Sequence, residues 1–163
     1  MNAESGVLDP ASLEDNRHSR LSPKQRSFVY RLGIRWVINA MFVTGFGLVV
    51  VFAVGNFWFR VVALLLIALA ALYLVLRSLD YIVDSTDQRV ALVSGRATPT
   101  PVAMIGLPDF DWKEQGWFRA TVHGMGFWLP PEANGVLGEI SVYFVPRSRV
   151  VVNVEFAPSK FPD

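Results

Sequence analysis

The sequence predicts a membrane α-helical hairpin of two transmembrane helices, followed by a C-terminal small all-β domain of the OB or SH3-like barrel or rolled-sheet kind. Three observations predict it. Two apolar runs, INAMFVTGFGLVVVFAV and VVALLLIALAALYLVL, each approach the twenty or so residues that cover a hydrocarbon core of about 30 Å at roughly 1.5 Å per residue. A short stretch, GNFWFR, separates them. Beyond about Gln88, continuous apolarity gives way to short alternating segments broken by Gly and Pro, which is the pattern of β-strands.

Composition sets the outer bounds. Of 163 residues, 52% are hydrophobic and 18% charged, where a soluble domain carries about 25% charge. Such a chain needs something besides a globular interior to hold its apolar side chains. The formal net charge is +1, and the basic residues form no extended patch interleaved with stacking aromatics, which argues against nucleic acid as the main partner. There is no cysteine, so disulfides, thiol catalysis and cysteine-type metal sites are excluded.

Taken in order, residues 1–21 mix Asn, Ser, Asp, Glu and Arg without an apolar period and are expected to be a disordered leader. No small-residue cleavage site follows the first apolar run, so a cleaved signal peptide is not expected. Ser22-Pro23-Lys24-Gln25 reads as a helix start: a hydroxyl to cap free amides, proline at the first helical position, and glutamine three residues after the serine. Residues 22–84 are then the hairpin, with the first span at about 34–55, the turn at 56–60 and the second span at about 61–83. One helix through both runs would be about twice the bilayer thickness, so GNFWFR is read as the turn.

Aromatic and long basic side chains suit the membrane boundary, which makes Trp36, Phe57, Trp58, Arg60, Arg77 and Tyr81 the candidate interface anchors. Arg77 with Asp80 and Asp84 is read as anchoring plus local pairing rather than an ion relay. Lys24, Arg26, Arg31, Arg35 and Arg77 lie on one side of the spans and only Arg60 on the other. The positive-inside rule therefore puts both termini in the cytoplasm, for a protein of the cell (inner, cytoplasmic) membrane. Small residues recur at helical spacing as Ala40, Thr44, Gly47, Val51 and Gly55, matched by Ala63, Ala70 and Ala71. Helices in lipid associate by close packing, so this stripe is the expected hairpin seal and a possible homo-oligomer face.

Residues 85–163 form the expected cytoplasmic β domain. RVALVSG, WFRATVHG, GFWLPP, EISVYFVP and RVVVNVEF are its candidate strands, and His123-Gly124-Met125-Gly126 a hairpin turn. TPTPVAMIGLPDFDWKEQG reads as a long loop whose Asp109, Asp111 and Glu114 form a solvated acidic patch. Pro146-Arg147-Ser148-Arg149 offers two guanidiniums on a tight connection. With Lys24, Arg31 and Arg35, Arg147 and Arg149 are candidate contacts for anionic headgroups or an acidic partner.

VHGMGFWLPP followed by ISVYFVPRSRVVVNVE resembles the tail shared by a group of bacterial membrane proteins in which a helix hairpin precedes a small β domain ending in tyrosine, proline, arginine and a final glutamate. The plan is also similar to that of NfeD-like proteins. That resemblance implies membrane helices carrying an OB-fold domain that assists membrane proteases or the organisation of lipid domains.

An enzyme needs a nucleophile with a base, paired carboxylates or a metal shell, and none of these is legible. No catalytic residue, cofactor or metal is expected. The expected role is a non-enzymatic membrane anchor or adaptor, an accessory subunit or scaffold of a membrane complex whose cytoplasmic β domain engages in protein–protein interaction. The alternatives are a membrane-organising or anionic-lipid-binding module and, more weakly, a component of an oligomeric channel or transporter.

Overall fold

The computed structural model describes residues 9–53, 56–99, 117–131 and 139–156. They form α1 (Pro10–Arg17), α2 (Pro23–Ala53), α3 (Phe57–Asp87), β1 (Ala91–Pro99), β2 (Phe118–Val122), β3 (Met125–Leu129), β4 (Glu139–Phe144) and β5 (Val151–Phe156). The chain divides into two compact units. Arg26–Asp87 is one, and the described residues up to Gln25 join those from Gln88 onward in the other.

Helix α2 begins as its start signal predicts. Ser22 Oγ accepts from the Gln25 N–H at 3.4 Å and Gln25 Oε1 accepts from the Ser22 N–H at 3.2 Å, a reciprocal cap with Pro23 in the first turn. α2 and α3 each have 31 residues, about 46 Å at about 1.5 Å per residue. Both are long and apolar enough to cross a membrane. Their contacts run antiparallel: Gly33 meets Tyr81 and Ile82, Trp36 meets Tyr81, and Gly47 meets Ile67. The opposite faces carry large apolar side chains without cover, such as Met41 at 70%, Phe46 at 74% and Leu65 at 60% exposure.

The turn is shorter than the sequence suggests. Phe57 to Arg60 are not loop but the first turn of α3, because Asn56 caps them: its Oδ1 accepts from the Phe59 N–H at 3.2 Å and its carbonyl from the Arg60 N–H at 3.1 Å. Aromatic rings that suit a membrane boundary do not thereby break a helix; the capping amide decides where the helix starts.

In the other unit, the five candidate strands form one antiparallel sheet in the order β3-β2-β1-β4-β5. β1 pairs with β4 through Ala91–Arg96 and with β2 through Ala97–Pro99, so it passes from one ladder to the next and the sheet curls into a half-barrel. Its concave side holds the core, Val93, Ala120, Val122, Phe127, Leu129, Ile140, Val142, Phe144, Val151 and Val154, with the Phe127 and Phe144 rings 4.9 Å apart. This is the small all-β domain in its rolled-sheet form: among the described residues β3 and β5 are the edge strands of the curled sheet. Alternating apolarity yields strands, whereas closure depends on tilt and register stagger, which local sequence does not carry. The β2–β3 turn is tighter than the four-residue HGMG: His123 at φ 50° and Gly124 at φ 80° are its two central residues, and Met125 and Gly126 already belong to β3. Positive φ at both positions is the geometry that continues the twist of the flanking strands.

The leader differs most from expectation. Residues 1–8 lie outside the described residues, but from Asp9 the chain is ordered. Asp9 Oδ1 accepts from the Ala11 N–H at 3.1 Å, Pro10 occupies the first turn, and α1 follows. Ser12 and Asn16 of α1 are buried although polar. Composition alone implies disorder because the leader has few apolar residues. It is ordered because distant partners satisfy its polar ones. Leader and tail are therefore one unit rather than separate segments.

Candidate functional site

The hairpin face assembles from small side chains upward. Ala40 and Val51 are buried, Thr44, Gly47, Ala63, Ala70 and Ala71 half-buried, and Gly55 lies outside the described residues. Gly47 is the tightest point, since a Cβ there would stand 2.6 Å from Ile67 Cδ1. Close approach is also enforced at Gly33, where a Cβ would meet Ile82 Cγ1 at 3.1 Å and Tyr81 Cβ at 3.2 Å, and where the Ser78 hydroxyl donates across to the Gly33 carbonyl at 2.9 Å. Gly33 and Ser78 are absent from the sequence-derived stripe. Gly33 sits among basic residues before the apolar run, but its spacing of seven from Ala40 continues the same face.

The candidate anchors separate into two kinds. Phe57 and Trp58 are exposed, at 67% and 74%, and pack edge to face with ring centroids 5.6 Å apart. Trp36 and Tyr81 are each only 7% exposed, and their rings stack on one another at 6.2 Å. They are thus interhelical packing rather than outward-facing anchors, because the helices draw together at Gly33 and turn both rings inward. Arg60 is half-buried in the first turn of α3. Arg77 lies with its guanidinium carbon 5.4 Å from the centre of the Tyr81 ring and 3.5 Å from the Asp80 carboxylate, while Asp84 is buried.

Of the candidate headgroup contacts, Arg31 and Arg35, both exposed, belong to the helical unit, and Lys24, Arg147 and Arg149 to the sheet unit. Lys24 Nζ is 3.6 Å from the Asp9 carboxylate that caps α1. Arg147 and Arg149 are exposed beside the turn between β4 and β5, where the Arg149 N–H donates to the Val145 carbonyl at 2.9 Å and Arg149 takes φ 57°. The acidic patch Asp109, Asp111 and Glu114 lies outside the described residues. Among the described residues, no three His, Cys, Asp or Glu side chains gather as a metal site.

The densest polar arrangement is one that sequence reasoning missed. Gln25 is fully buried and its side-chain amide faces the Asn16 amide in a reciprocal pair, Asn16 Nδ2 donating to Gln25 Oε1 at 2.9 Å and Gln25 Nε2 to Asn16 Oδ1 at 3.0 Å. Gln25 Nε2 also donates to the Val152 carbonyl at 2.9 Å. Val152 is the residue passed over where the β4–β5 register shifts, and a bulged residue leaves its backbone without a ladder partner. Nearby, Ser12 Oγ and Ser22 Oγ are 3.0 Å apart and Asn153 Nδ2 donates to the Asp9 carbonyl at 3.4 Å. A signal was present: Asp9-Pro10 repeats the cap-and-proline logic of Ser22-Pro23.

Arg17 closes the tie at the surface. Its guanidinium donates to Glu155 Oε1, and the Tyr143 hydroxyl donates to Glu155 Oε2 at 3.0 Å. The hydrogen bond from Arg17 holds the Glu155 carboxyl below its ordinary range, with that from Tyr143 adding to it. The bond to Glu155 raises Arg17, and partial burial, then Glu155, raises Tyr143. A second tie joins the segments flanking the hairpin: Leu21 N–H donates to the Gln88 carbonyl at 3.0 Å and Val90 N–H to the Ser19 carbonyl at 3.2 Å.

Comparison with known protein families, curated proteins and solved structures finds no match for this chain.

Proposed function

We propose that this protein is a non-enzymatic membrane anchor and adaptor: the hairpin crosses the inner membrane twice, and the half-barrel unit binds a protein partner in the cytoplasm. The observation that carries it is the pairing of two uncovered apolar helices with a single folded unit that holds both covalent connections to them, through Gln25 and Gln88. Uncovered apolar surface over two helices of 31 residues suits lipid. One folded unit made from both flanks suits a hairpin whose ends share a compartment, and the basic side chains before α2 suit the cytoplasm.

Extraction of the full chain from its native membrane in mild detergent tests the reading. The adaptor function predicts a stoichiometric protein partner that is lost when the half-barrel is disrupted; recovery of the chain alone at native expression would sink it. Release of the chain by alkaline carbonate would remove the anchor itself.

A further inference from the structure

We propose that the exposed face of α3 formed by Tyr73, Leu76, Arg77, Leu79 and Asp80 is a docking site for one phospholipid with a primary-amine headgroup. The proposal rests on the hairpin being in a bilayer. These five residues line an open groove of about 420 Å³, apolar at Tyr73, Leu76 and Leu79 and charged at Arg77 and Asp80. Position on the helix sets the depth. Between Arg60 and Arg77, α3 runs sixteen residues without a charge, about 24 Å at about 1.5 Å per residue, so the two guanidiniums bracket the apolar run of a core of about 30 Å, and the long stem of Arg77 brings its charge within reach of the phosphates.

Charge selects the headgroup. A guanidinium alone at that level would take any lipid phosphate. Here the Asp80 carboxylate stands 3.5 Å from Arg77, and both side chains reach the surface. A carboxylate disfavours a headgroup with net negative charge. It also accepts hydrogen bonds, which a primary ammonium can donate and a quaternary ammonium cannot. The pair therefore matches phosphatidylethanolamine, phosphate to Arg77 and amine to Asp80, better than phosphatidylglycerol or phosphatidylcholine. The Tyr81 ring beneath Arg77, itself stacked on Trp36, limits where the guanidinium can go. Tyr73, Leu76 and Leu79, all about half exposed, offer the acyl chain its contact.

The test uses the full chain in mild detergent, with native mass spectrometry in an equimolar mixture of the three lipids bearing identical acyl chains. Retention of phosphatidylethanolamine over the other two is expected. Arg77→Gln should lower retention of all three. Asp80→Asn should cut the preference for phosphatidylethanolamine over phosphatidylglycerol about tenfold, the equivalent of one charge-assisted hydrogen bond of about 1.4 kcal/mol. Unchanged far-UV dichroism of the variants shows that the helices persist. Equal retention of the lipids, a preference that survives Asp80→Asn, or a dimer of the chain in place of lipid adducts overturns the proposal. Failure of the membrane reading registers separately: alkaline carbonate would then free the chain from vesicles, and the proposal would fall with it.

Discussion

Replacing Gln25 by alanine should loosen the half-barrel unit more than any surface change. Gln25 is fully buried, and its amide serves Asn16 of α1, the Ser22 N–H at the start of α2 and the carbonyl of Val152 in β5. Alanine leaves the Asn16 Oδ1, the Ser22 N–H and the Val152 carbonyl without that partner. Asn16 Nδ2 keeps the Arg20 carbonyl at 3.0 Å. Three buried groups at about 1 kcal/mol each give roughly 3 kcal/mol, the low end of the range for unsatisfied polar groups, since water can partly refill a polar cavity. For a unit of this size that is a fall in Tm of about 15 °C. The assay is thermal unfolding of the detergent-solubilised chain, followed by near-UV dichroism from Trp117 and Trp128, which lie in the sheet unit. Gln25→Leu separates the causes: it restores volume but no hydrogen bond, so it should remain nearly as destabilised. A Tm for Gln25→Ala within about 3 °C of the parent, less than 1 kcal/mol on the same scale, would refute the reasoning.

Other outcomes follow from the same structure. Gly45 has open space around its would-be Cβ and Gly47 has Ile67 at 2.6 Å, so Gly45→Ala should gain up to roughly 1 kcal/mol of helix propensity while Gly47→Ala loses about 1–3 kcal/mol to overpacking before that gain. Detergent titration of hairpin association, read by energy transfer between helix ends, would contradict this if both changes had the same sign. Gly124→Ala at φ 80° should cost about 1 kcal/mol in thermal melts, whereas His123→Asn at φ 50° should be neutral or better, because asparagine tolerates the left-handed region. The depressed Glu155 carboxyl stabilises the docking of α1 above its unfolded pKa of about 4.3, and that contribution is lost as pH falls through the lower folded value. Protection of α1 amides from hydrogen exchange, taken relative to the intrinsic rate at each pH, should therefore fall below about pH 4 in the parent and show a weaker pH response in Glu155→Gln; identical profiles would count against the tie.

Sequence by itself determined what depends on neighbours along the chain. The two apolar helices, the start of α2 at Ser22-Pro23, the five strands and the glycine-bearing turn after β2 all rest on local periodicity or on residues with restricted backbone preferences. Only the tertiary structure decided what depends on distant partners. Gln25 is 9 residues from Asn16 but 127 from Val152, so no composition window could show that the polar leader is a helix held to the register shift in β5. Trp36 and Tyr81 read as boundary residues until the approach at Gly33 turned them toward each other. The curl of the sheet has the same origin: strand identity is local, but the register and order of the described strands are set by which segments meet in space.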